Sequence, residues 1–177
     1  MAPWPGLATP RARLRPLGPA DAPAFHALVT RADTGPMLFL FPPDWTPAAA
    51  ADFLRGCAWT GRPGFRLGIE AGGDLAGWIG CSDDAEPQVF YALTPAHRGH
   101  GLAAEVLAAF CTFLFDRFDP PALRAGVFDD NPASLRVLTR CGFSDIGGAM
   151  LTSAARAAPA PGRWMRRPNP ARVPDDP

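Results

Sequence analysis

The chain has 177 residues, 47% of them hydrophobic and 19% charged, which suits one packed domain and excludes a disordered chain. The formal net charge is +0, and all 17 basic residues are Arg, so no overall field draws the protein to nucleic acid or to an anionic membrane. No stretch reaches the length of a membrane span, and prolines interrupt the start where a secretion signal needs an apolar run, so the expected location is the cytoplasm.

Residues 1–10 are Pro-rich and read as a flexible start. Arg11 to Leu17 alternates charged and other residues, as a first strand would. Asp21 can cap a helix carrying Ala22, Phe25, Leu28 and Val29. The apolar run MLFLFPPDW stops at Pro42 and Pro43, and Thr46 with Pro47 supplies the N-cap and first turn of a second helix through Phe53 and Leu54. Phe65–Glu70 and Leu75–Cys81 are strand-like runs joined by AGGD, a hairpin signal. Gln88–Thr94 is the next strand, ended by Pro95. A helix from Leu102 to Phe115 sets Ala103, Val106, Leu107, Phe110 and Leu114 on one face. Leu123–Phe128 is again strand-like. Asn131, Pro132 and Ser134 open a short helix that Gly142 stops. Two closing strands are expected around Phe143–Ile146 and Arg163–Met165, and from Pro168 the composition reads as a flexible tail. The order predicts an α/β layered domain over residues 11–167 with a mixed sheet.

Cys57, Cys81, Cys111 and Cys141 are widely spaced, and His26, His97 and His100 show no ligand pattern, so buried free thiols and no metal site are expected.

The informative segment is TPAHRGHGLAA, Thr94 to Ala104, between a strand and an amphipathic helix. Amides at a helix start lack internal partners, and the helix dipole favours negative charge there. Gly99 and Gly101 would let backbone approach a phosphate closely. Gly-x-Gly alone also fits a plain turn. No Gly-Lys-Ser/Thr follows, and the full dinucleotide fingerprint is absent.

RGHGLA, Arg98 to Ala103, resembles the Q/R-x-x-G-x-G/A motif of the GNAT N-acetyltransferases. FDDNPASLRVLTRCGF, Phe128 to Phe143, is similar to the N-x-x-S-x-x-V/L-x-x-x-x-GF signature of the same superfamily. FLFPPDWT and the tyrosine of VFYALTP are similar to the RimJ/RimL-like branch of ribosomal-protein alanine acetyltransferases. The resemblance implies a GNAT fold, with a central, mostly antiparallel mixed sheet flanked by helices. It implies acetyl-CoA as co-substrate, a primary amine acceptor (a protein N-terminus or a small molecule), direct transfer in a ternary complex, and a monomer or homodimer.

Carried onto this chain, the resemblance assigns the pyrophosphate to Arg98, Gly99, His100, Gly101, Leu102 and Ala103. Ala92, Leu93 and Thr94 would line the pantetheine arm and polarise the thioester. Asn131 would contact that arm, and Ser134 would assist the leaving thiolate. Tyr91 is a core residue or lines the acceptor cleft. The Arg98 side chain either contacts phosphate or stays in solvent. Relatives often carry a Glu near the start of this strand, where Gln88 stands; Glu70, Asp83, Asp84, Glu86 or water are the remaining bases. The alternative to an enzyme is a non-catalytic acyl-CoA-binding module.

Overall fold

The computed structural model describes residues 3–172. β1 (Leu7–Ala8), β2 (Arg13–Pro16), β3 (Arg66–Ala71), β4 (Asp74–Cys81) and β5 (Val89–Leu93) lie in chain order in one antiparallel sheet. β6 (Ala122–Phe128), β7 (Ser144–Leu151) and β8 (Ala160–Pro168) form a second, with β8 in the middle. The β3–β4 hairpin turns at Gly72 and Gly73, both with positive φ, which glycine alone adopts without strain. A parallel bridge, Gln88 to Arg124, joins the sheets, with the Arg124 amide donating to the Pro87 carbonyl at 3.0 Å. Beyond that bridge β5 and β6 part, which leaves a gap between them.

Four helices cover the sheets: α1 (Ala22–Val29), α2 (Pro47–Gly56), α3 (Leu102–Phe118) and α4 (Pro132–Arg140). Alternation along the strands decides which helices each face meets. Val89 and Leu93 of β5, with Ile79 of β4, join the core under α3 and α4. Phe90 and Ala92, with Trp78, face α1 and α2. Leu107, Phe110, Cys111 and Leu114 of α3 are fully buried, as its apolar stripe predicts; Ala103 is only half-buried and belongs to the site instead.

The ends depart from expectation. Trp4 packs between Trp59 and Phe113, with centroids at 5.0 and 5.2 Å, and its indole N–H donates to the Leu14 carbonyl at 3.0 Å. Leu7 and Ala8 pair with β2. A tryptophan that covers other aromatics outweighs the loop tendency of the surrounding prolines. At the other end β8 runs to Pro168, Asn169 is buried, and Arg172 pairs with Asp119 at 2.9 Å. Residues 173–177 of the expected tail lie outside the described residues. The last two strands are also longer than expected. β7 is an exposed edge containing Gly147 and Gly148, so it carries little apolar alternation to read. Among the described residues no helix is long and apolar enough to cross a membrane.

Candidate active site

The parting of β5 from β6 opens onto a cavity of ≈ 520 Å³ that reaches the N-terminus of α3 and one side of α4. Of the residues expected at the site, Tyr91, Leu93, Arg98, Gly99, Gly101, Leu102, Ala103, Asn131 and Ser134 line it; Thr94 and His100 do not.

The register of β5 decides which of its amides face the gap. Gly77 lies opposite Leu93 and Ile79 opposite Tyr91, while the Thr94 amide donates to the Ala76 carbonyl at 2.8 Å. Antiparallel pairing alternates, so Ala92 and Thr94 turn their amides to β4, and Tyr91 and Leu93 turn theirs to the gap. This corrects the expectation for Thr94, whose hydroxyl is also engaged, 2.8 Å from His97 Nδ1.

Caps at the helix starts point the same way. Thr46 Oγ1 accepts from the Ala49 amide at the start of α2, and Asn131 Oδ1 from the Ser134 amide at the start of α4. α3 has no side-chain cap. Gly101 precedes it with φ +78°, and its first intrahelical bond is the Glu105 amide to the Gly101 carbonyl at 3.1 Å. The amides of Leu102 and Ala103 are thus left without an intrahelical partner. At Gly99, φ +82°, a Cβ would find no atom within 4 Å, so the loop surface there is open. Uncapped amides, left-handed glycines and a helix dipole make this end suited to an anion. His100 is exposed, and its carbonyl accepts from Arg11 Nη1 at 2.7 Å, which pins the loop to the N-terminal segment.

The Arg98 side chain does not point to that anion position. Its Nε donates to the Leu93 carbonyl at 2.9 Å, Nη1 to Asp33 at 3.0 Å and Nη2 to the Thr34 hydroxyl at 2.7 Å. Three good acceptors hold the guanidinium back against the segment before α2, so the expected phosphate contact is corrected to a structural tie. Arg136 and Arg140, one turn apart on α4, line the cavity and form no ion pair among the described residues. The reading of motifs missed them; Arg at i and i+4 on the helix of the N-x-x-S motif was the available signal.

Tyr91 and Ser134, from distant parts of the chain, meet here. Tyr91 Oη lies 2.8 Å from Ser134 Oγ. The tyrosine ring is on the α3–α4 face, opposite the face that carries Phe90 and Trp78. Burial pushes its hydroxyl well above the usual phenol range, so it stays protonated at neutral pH. Asn131 also lines the cavity while its side-chain oxygen caps α4, so both of its proposed roles are compatible.

The other side of the gap is apolar. Leu38, Phe39, Phe41, Phe90 and Trp78 line it. Phe39 lies over Gly126 of β6, where a Cβ would come within 2.8 Å of its ring. The loop between β7 and β8 closes over this wall: the Ala154 amide donates to the Phe39 carbonyl at 3.0 Å, and Arg156 Nε to the Pro36 carbonyl at 2.7 Å. Trp45 packs with the α1–α2 core rather than on the cavity.

None of the four candidate bases lines the cavity. Glu70 is held by Arg15 at 2.6 Å, and Glu86 by Arg166 at 2.6 Å, which keeps the Glu86 carboxyl below its usual range. Ser82 Oγ donates to Asp84 at 2.6 Å. Among the described lining residues Asp33 is the one carboxylate, and hydrogen bonds from Arg31 above all, then Thr34 and Arg98, hold it well below the carboxylate range. No group of three or more His, Cys, Asp or Glu among the described residues could hold a metal ion.

Comparison with known proteins fits this geometry. The model of the acetyltransferase (GNAT) domain matches residues 11–144. The uncharacterized N-acetyltransferase YoaA of Bacillus subtilis is 33% identical over 92 residues, 49% of this chain, and the match spans 52% of that protein, about half its length. Among solved structures, Mycobacterium smegmatis RimJ in complex with CoA-disulfide superposes with a TM-score of 0.78 at 20% identity, covering 92% of this chain and 85% of that one. Spermidine N-acetyltransferase from Vibrio cholerae, in complex with CoA and spermine, gives 0.77 at 15% identity over 90% and 96%. At such identities the two structures speak to the fold. The matched domain covers most of the chain and contains the glycine loop and the asparagine–serine helix start, and on that ground the protein belongs to the GNAT acetyltransferase family.

Proposed function

We propose that this protein transfers an acetyl group from acetyl-CoA to a primary amine, with both substrates bound together. The observation that carries the reading is the uncapped start of α3, which opens on the gap between β5 and β6. In this reading the amides of Gly99, His100, Gly101, Leu102 and Ala103 hold the pyrophosphate, and Arg136 and Arg140 add the positive charge that Arg98 does not. The Asn131 amide nitrogen and the Leu93 N–H meet the pantetheine arm and the thioester oxygen, where a fixed donor favours the charge that develops on attack.

The amine nitrogen bonds to the thioester carbon, the carbon–sulfur bond breaks, the amine loses a proton and the sulfur gains one. Tyr91, 2.8 Å from Ser134, passes a proton to the sulfur directly or through the serine hydroxyl and regains one from water, so that no tyrosinate persists in its buried site. The proton leaving the amine passes to water in the cavity, since Asp33, the lining carboxylate, is already ion-paired. Likeness to a spermidine acetyltransferase supports a small amine as acceptor, and likeness to RimJ supports a place in the RimJ/RimL-like branch, for which the sequence resemblance implies a protein N-terminus. Four buried free thiols suit a cytoplasmic enzyme.

One observation favours a second reading, an acyl-CoA-binding module without turnover: among the described residues no unpaired carboxylate lines the cavity. Thiol release from acetyl-CoA with a panel of amines, set against calorimetric binding of coenzyme A, separates the two. Turnover with at least one amine is expected; tight binding with no turnover on any amine overturns the transferase reading.

A further inference from the structure

Arg66 of β3 is 7% exposed, yet it lines the cavity on the aromatic side. Its stem crosses β4 at Gly80, where a Cβ would sit 2.4 Å from Arg66 Cδ, so only glycine allows the passage. The guanidinium ends over the ring of Phe90 at 4.7 Å, flanked by Trp78 at 5.8 Å and Phe53 at 5.9 Å. Both of its hydrogen bonds use Nη1, to the carbonyls of Cys81 at 2.6 Å and Phe65 at 3.1 Å. Nε is buried without a partner, and Nη2 makes no hydrogen bond among the described residues. No carboxylate forms an ion pair with it there either. Cys57 and Cys81 lie close, but burial holds both thiols above their usual range, so neither offers a thiolate.

A buried cation is ordinarily matched by an anion, because carbonyls and ring faces replace only part of the water it gives up. Nε is closed off by its burial, so Nη2, which makes no hydrogen bond among the described residues, is the donor left to meet an anion in the cavity. The guanidinium stands over Phe90, with Trp78 and Phe53 beside it, on the sheet face opposite Tyr91.

We infer that Arg66 is an anion-recognising subsite of the acceptor cavity, and that the acceptor is an apolar amine carrying a carboxylate. The choice of acceptor rests on the acetyl-transfer reading above; the anion subsite does not.

The test uses 3-phenylpropionate and its neutral counterpart 3-phenylpropanamide, titrated by calorimetry into the coenzyme A-saturated protein. The wild type is expected to prefer the acid by tenfold or more. Arg66→Met, which keeps the stem and removes the charge, should abolish the preference while coenzyme A affinity stays unchanged; Arg66→Lys should keep part of it. Equal binding of acid and amide to the wild type, no binding of the acid, or a preference that survives Arg66→Met overturns the subsite. In parallel, acetylation of phenylalanine should exceed that of phenethylamine in kcat/KM, and Arg66→Met should erase the difference. If the acid preference is present but no amine is acetylated, the transfer reading falls and the anion subsite stands.

Discussion

Ser134 and Tyr91 show how one residue's role depends on its partner. Spacing in the N-x-x-S motif singled out Ser134, but nothing in the chain links it to Tyr91, 43 positions earlier. In the proposed reaction the 2.8 Å contact makes them one proton-donating unit. Ser134→Ala is expected to lower kcat by about 30-fold, equivalent to about 2 kcal/mol of transition-state stabilisation, with coenzyme A affinity unchanged. Tyr91→Phe should produce a comparable loss, and the double variant should be no worse than either single one, because the two act together. Rates that multiply in the double variant would show independent roles. Arg98 is the opposite case. It sits within the motif, but its hydrogen bonds to Asp33 and Thr34, more than 60 positions earlier, are not legible in the motif, and they turn it away along with its bond to Leu93. The sequence marks Arg66 only as part of a strand, since a run of residues does not reveal that a neighbouring strand offers Gly80 as a passage.

The elements were more legible than their partners. Thr46-Pro47 and Asn131-Pro132 mark helix starts because a capping side chain and a first-turn proline act locally. α3 lacks such a cap, and that departure marks its exposed amides. Gly101 holds φ +78°, so a substitution there mixes backbone strain with any effect on binding. Ala103 is half-buried, has helical neighbours and lines the cavity, so Ala103→Glu tests the cradle without that strain. Placing a carboxylate at the anion position should weaken coenzyme A binding at least tenfold by calorimetry, and the melting temperature should move little. Unaltered affinity would remove the pyrophosphate from α3. β7 was the least legible element, because an exposed edge strand with two glycines shows neither alternation nor an apolar run.

The whole molecule titrates from both sides. Asp21 is bound by Arg15, which holds its carboxyl below the usual range, and Arg166 does the same to Glu86. The stability these carboxylates contribute is complete above their unfolded values and is lost as pH falls through the folded ones. The four thiols run the other way. Burial raises each above the ordinary value of 9.0, Cys111 to about 12. Their contribution is complete below pH 9 and is lost as pH rises toward the folded values, because the unfolded chain ionises first. Denaturant midpoints should therefore be level near neutrality and fall both in acid and above pH 9, with each thiol adding a slope of up to about 1.4 kcal/mol per pH unit on the alkaline side. Cys111→Ala should make that alkaline limb shallower by one thiol's share; an unchanged limb would place the ionisation elsewhere. Trp4→Ala should lower unfolding stability by about 2–3 kcal/mol in urea titrations, since Trp4 covers Trp59, Phe65 and Phe113. A negligible change would return the first residues to the status of a loose end.

Within the sequence alone lay the order of strands and helices, the caps of α2 and α4, and the glycine loop before α3. These rest on neighbours a few positions apart, through hydrogen bonds and periodic burial that the chain spells out locally. Folding alone decided which amides of β5 face the gap, that Arg98 turns away from it, that Tyr91 meets Ser134, and that Arg66, without an ion-pair partner among the described residues, lies at the aromatic wall. Those are matters of register and packing between distant segments, and a side chain's charge or hydroxyl acquires its chemistry only from what stands within about 3 Å of it.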